Sequence, residues 1–368
     1  MHFQTPMLDT IRIEFGVDAS TVGWIATATQ AGYVLGLLLL VPLGDRLDKK
    51  TLILAKTVAL IVSCVVVALA SSVGVIIAAS LAIGILATSS QDIIPLGAEL
   101  ARPEARGRIM GTLLTGMMVG ILCGRVFGGF ITSALGWRAA YWIAAGLLAL
   151  LLPILARKLP SSPGRAQMSY PALLGSLVAL MRRYPTLRQS SMVQLVLGVC
   201  YGAFWATLAL MLAAYHGLGA SAAGLMGLPG AAGILIARRV GRFVDVRGSR
   251  PVVAAGCALV FAGFCVLGAA GWSVGFVIVG VMMMDFGMRA SQVANQSAVT
   301  SLDPAARSRT NMIFMTHQFA GYSIGGAAGG YAWSIGGWAA VSALGLIMAA
   351  IAFVLHRWVF TIQEKGIT

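Results

Sequence analysis

GTLLTGMMVGILCGRVFGG, residues Gly111 to Gly129, is an apolar run in which Gly111, Gly120, Gly124, Gly128 and Gly129 recur mostly at intervals of four. In water it would be a poor helix, because each glycine costs roughly 1 kcal/mol against alanine in a helix interior. In lipid the same pattern is useful. Small residues on one helix face let a second backbone approach closely, so the stretch reads as a membrane helix specialised for packing and bending.

The rest of the chain agrees with a membrane setting. Its 368 residues are 58% hydrophobic and only 10% charged, with mean hydropathy +0.88, whereas soluble domains are about 25% charged. At about 20 residues per span there is room for about a dozen helices. The five cysteines, Cys64, Cys123, Cys200, Cys257 and Cys265, lie in apolar runs without metal-ligand spacing and read as small packing residues.

A formal net charge of +14 invites a polyanionic partner, but the distribution argues otherwise. Arg12 and Arg138 fall in loops of one parity, and Arg125 and Arg289 lie inside spans. The other 22 of the 26 Lys and Arg fall in or beside loops of the opposite parity. This is the positive-inside pattern. It makes those loops and the C-terminus cytoplasmic, in a multi-pass protein of the cell membrane (the bacterial inner membrane), with no need for nucleic acid.

Eleven spans are expected: Val22 to Leu43, Leu52 to Ala70, Val73 to Ala98 (kinked at Pro95), Ile109 to Leu135, Ala139 to Ala156, Met192 to Tyr215, Ala220 to Val240, Val252 to Ala270, Val274 to Val299, Met312 to Ile335 and Trp338 to Phe360. The division is an N-terminal bundle over 1–156, a basic linker over 157–189 with a short surface helix from Tyr170 to Met181, a C-terminal bundle over 190–360, and a tail over 361–368.

The chain also repeats itself. A shift of 201 places Ser90-Gln91 on Ser291-Gln292, Pro103 on Pro304, Arg106 on Arg307, Gly124 on Gly325, Gly128-Gly129 on Gly329-Gly330 and Gly136-Trp137 on Gly337-Trp338. Such agreement through helices and loops means two similar halves, as in transporters with the solute site between repeats. Under the same shift the helix Met192 to Tyr215, seventh of an intended twelve, maps to positions of about −9 to 14, so the chain begins near the middle of its own first helix. The expectation is therefore that most of the first helix is missing, with Phe3 to Leu8 as its outer end.

The glycine spacing of residues 111–129 resembles the fifth-helix motif of the major facilitator superfamily, especially its drug/proton antiporter branch, with Arg125 standing where that motif has proline. The loop Val41-Pro-Leu-Gly-Asp45-Arg46-Leu-Asp48-Lys49-Lys50 resembles the superfamily's cytoplasmic signature, with Val41 and Asp48 replacing its two glycines. Its counterpart in the second half keeps Gly241, Asp245, Gly248 and Arg250. The resemblance implies a latch in which Asp45 meets a helix N-terminus of the opposite half, with Arg46 or Lys49 reaching Glu99. The segments SSQDIIPLGAEL and ASQVANQSAV resemble predicted sugar, nucleoside or drug efflux permeases. The antiporters' Arg-x-x-Gln-Gly element is absent, since Gly84 to Gln91 reads GILATSSQ.

Ionisable groups inside spans are costly and point to function. Asp285 and Arg289, four apart on one helix, can pair with each other, or Asp285 can carry a proton; Arg125 can set its environment or bind an anionic solute group. Asp92 can line the cavity or be wetted from inside. Gln30, Tyr33, Gln91, Asn295, Gln296 and His317 complete the candidate solute or proton site, and Gln4, Gln194 and Gln318 are further polar residues at membrane depth. No phosphate-binding Gly-x4-Gly-Lys-Ser/Thr loop, metal cluster or nucleophile motif is present, so neither an enzyme nor a cofactor is expected.

The sequence thus predicts an all-α polytopic membrane protein of major facilitator type, two pseudo-symmetric six-helix bundles. The expected function is secondary transport of a small solute by alternating access, most simply proton-coupled efflux. Proton-coupled uptake and a truncated protein that does not transport are the alternatives. Protons, solute and bilayer are the expected partners, with no obligate protein partner evident.

Overall fold

A computed structural model describes residues 2–100, 106–162, 169–229, 243–244, 246–303 and 306–365. A 3-10 turn, His2–Met7, leads into α1 (Leu8–Phe15), followed by α2 (Ala19–Leu39), a 3-10 turn Pro42–Asp45, α3 (Lys49–Ala68), α4 (Val73–Leu86), α5 (Ser89–Leu100), α6 (Arg106–Leu135) and α7 (Trp137–Lys158). The second half comprises α8 (Tyr170–Arg183), α9 (Pro185–His216), α10 (Ala220–Leu225), α11 (Ser249–Gly268), α12 (Val274–Thr300) and α13 (Arg307–Lys365). No strand occurs among the described residues. Nine helices there are long and apolar enough to cross a membrane.

The ninth contains two crossings. α13 breaks at Gly336 and Gly337, and Gly337 has φ +56°, a left-handed conformation open to glycine. Its repeat partner Gly136 has φ +83° and starts α7. The tryptophan after each glycine turns into its own half. Trp137 Nε1 donates to Glu14 at 2.6 Å, and Trp338 Nε1 donates to the Leu267 carbonyl at 2.6 Å. Of the expected span Ala220 to Val240, residues 230–240 lie outside the described residues.

The expected span over Val73 to Ala98 is long and apolar enough to cross a membrane, but its break lies ahead of Pro95. The chain turns at Ala87 and Thr88, and α5 then runs through Pro95. The Thr88 and Ser89 hydroxyls donate to the carbonyls of Ile85 and Leu86 at 3.0 and 3.3 Å, a local alternative to helical bonding.

Each half has its own core. In the first, Met7, Leu8, Ile11, Ile76 and Tyr141 are fully enclosed. Residues 2–15 are part of this packing: Gln4 donates to Ser80 (3.5 Å) and accepts from Thr29 (2.7 Å), and Phe3 meets Tyr141 edge-on. The second core gathers Phe204, Val260, Phe264, Val281 and Trp338. A smaller cluster at the end bearing the basic loops joins Leu177 and Leu180 of α8 to Leu187, Val299 and Phe314. By contrast Leu135, Leu150 and Ile335 are about two-thirds exposed, at 68%, 71% and 67%. Apolar side chains facing outward and polar backbone satisfied within helices are what a bilayer requires.

Asp48, which stands where the signature has glycine, caps α3. It accepts from the Thr51 amide (3.1 Å) and hydroxyl (2.8 Å), and from Ser161 (3.0 Å) and the Ser162 amide (2.6 Å) beyond α7. The Thr51 hydroxyl leads in holding its carboxyl down at about 2, with slight burial opposing and the two backbone amides and Ser161 adding to it. The ordinary value is about 3.9, so the unfolded chain takes up the proton first as pH falls. The stabilisation is complete above about pH 4 and is lost as pH drops through about 2. Amide-exchange protection at Thr51 and Ser162 is expected to fall across that window. In Asp48→Ala it should already be low at pH 6, and equal protection in the two proteins at pH 6 would refute the cap.

Candidate functional site

A cavity of about 240 Å³ lies between the two halves. The first half contributes Tyr33 of α2, Ser90 and Gln91 of α5, and Met117 and Ile121 of α6. The second contributes Tyr201 of α9, Arg289 and Gln292 of α12, and Met315, Gln318, Phe319 and Tyr322 of α13. Three pairs of these residues are 201 positions apart: Gln91 with Gln292, Met117 with Gln318, and Ile121 with Tyr322. The internal repeat therefore supplies opposite walls of one chamber.

The same symmetry seals the end away from the basic loops. Gly129 of α6 packs on Gly224 of α10, where an added Cβ would come within 3.2 Å of the Gly224 Cα. Gly330 of α13 faces Gly23 of α2, 3.8 Å by the same measure. Residues 129 and 330, and 23 and 224, are again 201 apart. Ser323 donates to the Thr27 carbonyl (3.1 Å) in the second of these contacts.

Aromatic rings dominate the chamber. Tyr201 and Tyr322 stack with centroids 4.8 Å apart, Phe319 lies 5.2 Å from Tyr322, and Tyr33 reaches across from the first half to within 4.3 Å of Phe319. Gln91 Nε2 donates to the Tyr33 hydroxyl at 3.1 Å, and Gln318 Nε2 donates to the Tyr322 hydroxyl at 2.6 Å.

Arg125 of α6 is buried; it donates to the Tyr201 hydroxyl (3.2 Å) and places its guanidinium carbon 3.6 Å from the centre of the Trp205 ring. This cation–π stack joins the two halves. Pairing of Asp285 with Arg289 is not what the structure shows. The Arg289 guanidinium points onward along α12 and donates to Gln292 at 3.0 Å. Asp285, 3% exposed, keeps Oδ1 without a hydrogen-bond partner among the described residues. The cations acting on it are Arg289 and Arg125.

Asp92 also departs from expectation. It does not line the cavity but forms an ion pair with Lys56 of α3, Nζ to Oδ2 2.6 Å, with both side chains 2% exposed. Lys56 Nζ lies 3.3 Å from the Thr88 hydroxyl as well. The charge distribution groups Lys56 with the loop lysines, although it stands inside the expected span beginning at Leu52. A lone acid at Asp92 was the signal that a cation should face it.

The other candidates separate by position. Gln30 is one turn from Tyr33, with its side-chain carbonyl buried and unpartnered among the described residues. Asn295 is buried outside the cavity wall, Gln296 donates to Asn311 (2.8 Å), and His317 bonds the Ile313 carbonyl (2.8 Å). None of these three is among the residues lining the chamber. Gly128 takes Phe3 against it (2.8 Å from an added Cβ to the Phe3 carbonyl), and Gly124 has Phe3 at 3.9 Å. Gly120 faces open space, and the surroundings of Gly111 lie outside the described residues.

Of the latch residues, Gly241 and Asp245 and the side chains of Asp45 and Glu99 lie outside the described residues. Asp45 closes the turn Pro42–Asp45, and Gly44 in that turn packs near the Asp92 carboxylate. Arg46 is exposed, Lys49 and Lys50 open α3, and Gly248, with φ +78°, precedes α11. The Arg250 carbonyl meets His356 Nε2 at 2.9 Å. Tyr201, Tyr322, Phe319 and Gln292 were not singled out as site residues; the repeat placed Gln292 opposite Gln91, and that was the available clue.

The chain matches the sequence model of the Major Facilitator Superfamily over residues 2–316. It is 33% identical over 366 residues to "Uncharacterized transporter YgaY" of Escherichia coli O157:H7, covering 99% of this chain and 93% of that protein. It is 32% identical to "Probable transporter SCO4007" of Streptomyces coelicolor, covering 98% and 83%. In fold it is similar to the crystal structure of the nucleoside transporter NupG, with TM-score 0.75 at 15% identity over 99% of this chain and 96% of that one. Two repeat-related walls around one chamber and a family match across most of the sequence lead to one conclusion: the chain belongs to the major facilitator superfamily, as a multi-pass membrane transporter and not an enzyme.

Proposed function

We propose that the chain exports a small solute in exchange for protons, by rocking of its two halves, 1–156 and 190–360, about the chamber, with 157–189 as the linker and 361–368 as a cytoplasmic tail. The observation that carries this reading is the chamber itself: repeat-related residues line it from both sides, and repeat-related glycine contacts close it at one end. Exchange of that closure for a matching one at the basic end is alternating access. The Asp45 and Asp245 loops, with Arg46, Lys49, Lys50, Glu99 and Arg250, are the latch for the second closure. The asymmetry of positive charge supports a cytoplasmic position for that end, the membrane on this reading being a bacterial inner membrane. Efflux is supported by the antiporter-like glycine spacing of α6, and Asp285, buried and facing two arginines, is the proton carrier.

The test is flux into and out of proteoliposomes under an imposed pH gradient, with a panel of drugs, sugars and nucleosides. Gradient-driven movement is expected, and Asp285→Asn should abolish its dependence on pH while leaving solute exchange at equal pH. PH dependence unchanged in Asp285→Asn would remove Asp285 as the carrier; flux indifferent to the gradient would remove proton coupling.

A further inference from the structure

The chamber also specifies what it holds, an inference that rests on the transporter reading above. We propose that the solute is a small aromatic anion: one flat ring bearing a carboxylate or an equivalent single negative charge.

Charge gives the first half of the argument. Arg289 lines the cavity and Arg125 lies just behind Tyr201, while both act on the buried carboxylate of Asp285. Neither arginine has a carboxylate within ion-pairing distance among the described residues. Two guanidinium groups against one acid leave a positive excess at membrane depth, where an uncompensated charge is expensive. An anionic ligand supplies the balance. Arg289 spends one donor on Gln292, and a guanidinium carries five in a planar fork matched to a carboxylate.

Shape gives the second half. Tyr33, Tyr201, Phe319 and Tyr322 present ring faces and edges from both halves of the protein, 4.3 to 5.2 Å apart in successive contacts. Such a lining favours a planar apolar body, by offset or edge-on contact. Met117 and Ile121 complete it with polarisable and aliphatic surface. At about 240 Å³ the space is smaller than the roughly 300–1,000 Å³ of sites for drug-sized ligands, which suits a single ring with a short acidic arm. Gln91 and Gln318, each already donating to a tyrosine, hold the rings in place.

The experiment is titration of the purified full chain in detergent, followed by tryptophan fluorescence (Trp205 lies against Arg125), with phenylacetate, phenylacetamide, phenethylamine and acetate. Phenylacetate should bind at least tenfold more tightly than each of the other three, since they lack the charge, reverse it or lack the ring. Arg289→Gln should weaken phenylacetate at least tenfold and leave phenylacetamide within about twofold, and Arg289→Lys should recover part of the loss. Tyr322→Leu should weaken acid and amide alike. Equal affinity for acid and amide, or no saturable binding of phenylacetate to the wild type, overturns the proposal without recourse to variants. Binding of phenylacetate without its flux in proteoliposomes upholds the ligand class and sinks transport. Flux of an uncharged solute such as uridine with no phenylacetate binding does the reverse.

Discussion

Lys56→Met is expected to cost about 3–5 kcal/mol of folding stability. Lys56 and Asp92 sit 2.6 Å apart with 2% of each side chain exposed. Truncating the cation removes the charge that Lys56 supplies to a carboxylate enclosed among α3, α5 and the turn containing Gly44. The doubly neutral variant Lys56→Met/Asp92→Asn should regain most of the loss, because burying an ion pair yields little net stability compared with uncharged side chains of similar size. Unfolding midpoints in detergent, by heat or by denaturant, give the comparison. If the single and double variants were equally destabilised, the pair would not act as an electrostatic unit.

Leucine at Gly129 and leucine at Gly325 should fail in different ways. Gly325 packs on the Val199 carbonyl inside the second half, and Gly129 packs on Ala220 and Gly224 across the two halves. An added side chain at Gly325 strains every conformation the half can adopt, so Gly325→Leu is expected to lower yield and thermal stability. At Gly129 the strain exists only while the end away from the basic loops is shut. Overpacking of about 1–3 kcal/mol confined to one state shifts the balance roughly 5- to 150-fold toward the opposite one. Gly129→Leu should therefore fold normally yet transport at least tenfold more slowly, with single cysteines introduced into α10 newly reachable by thiol reagents from that side. Matching losses of stability in the two variants would mean that the contact is not a moving one.

The helical layout could be read from the sequence because lipid imposes long apolar runs, and the repeat could be read because it survives in loops as well as helices. The break at Ala87 and Thr88 was hidden, since Pro95 is the more conspicuous helix breaker; hydroxyl bonding to Ile85 and Leu86 interrupts the helix at the earlier place. Tyr33, Gln91 and Arg289 were identifiable as polar groups where solvent is scarce, and all three reach the chamber. Asp92 met the same criterion and went elsewhere. Burial says that a charge needs a partner but not which helix provides it, and a count of loop charges does not separate Lys56 from its neighbours Lys49 and Lys50. Tyr201, Phe319 and Tyr322 gave no one-dimensional signal, because an aromatic residue in an apolar helix looks the same whether it meets a solute or a neighbouring helix.

Met117 and Ile121 stand opposite Gln318 and Tyr322 at equivalent places in the duplicated halves. One half presents apolar side chains there, while the other presents an amide and a phenol. Such a division of labour lets a lineage, or an engineer, retune cargo preference by rewriting the polar face alone, without disturbing the smooth counter-surface.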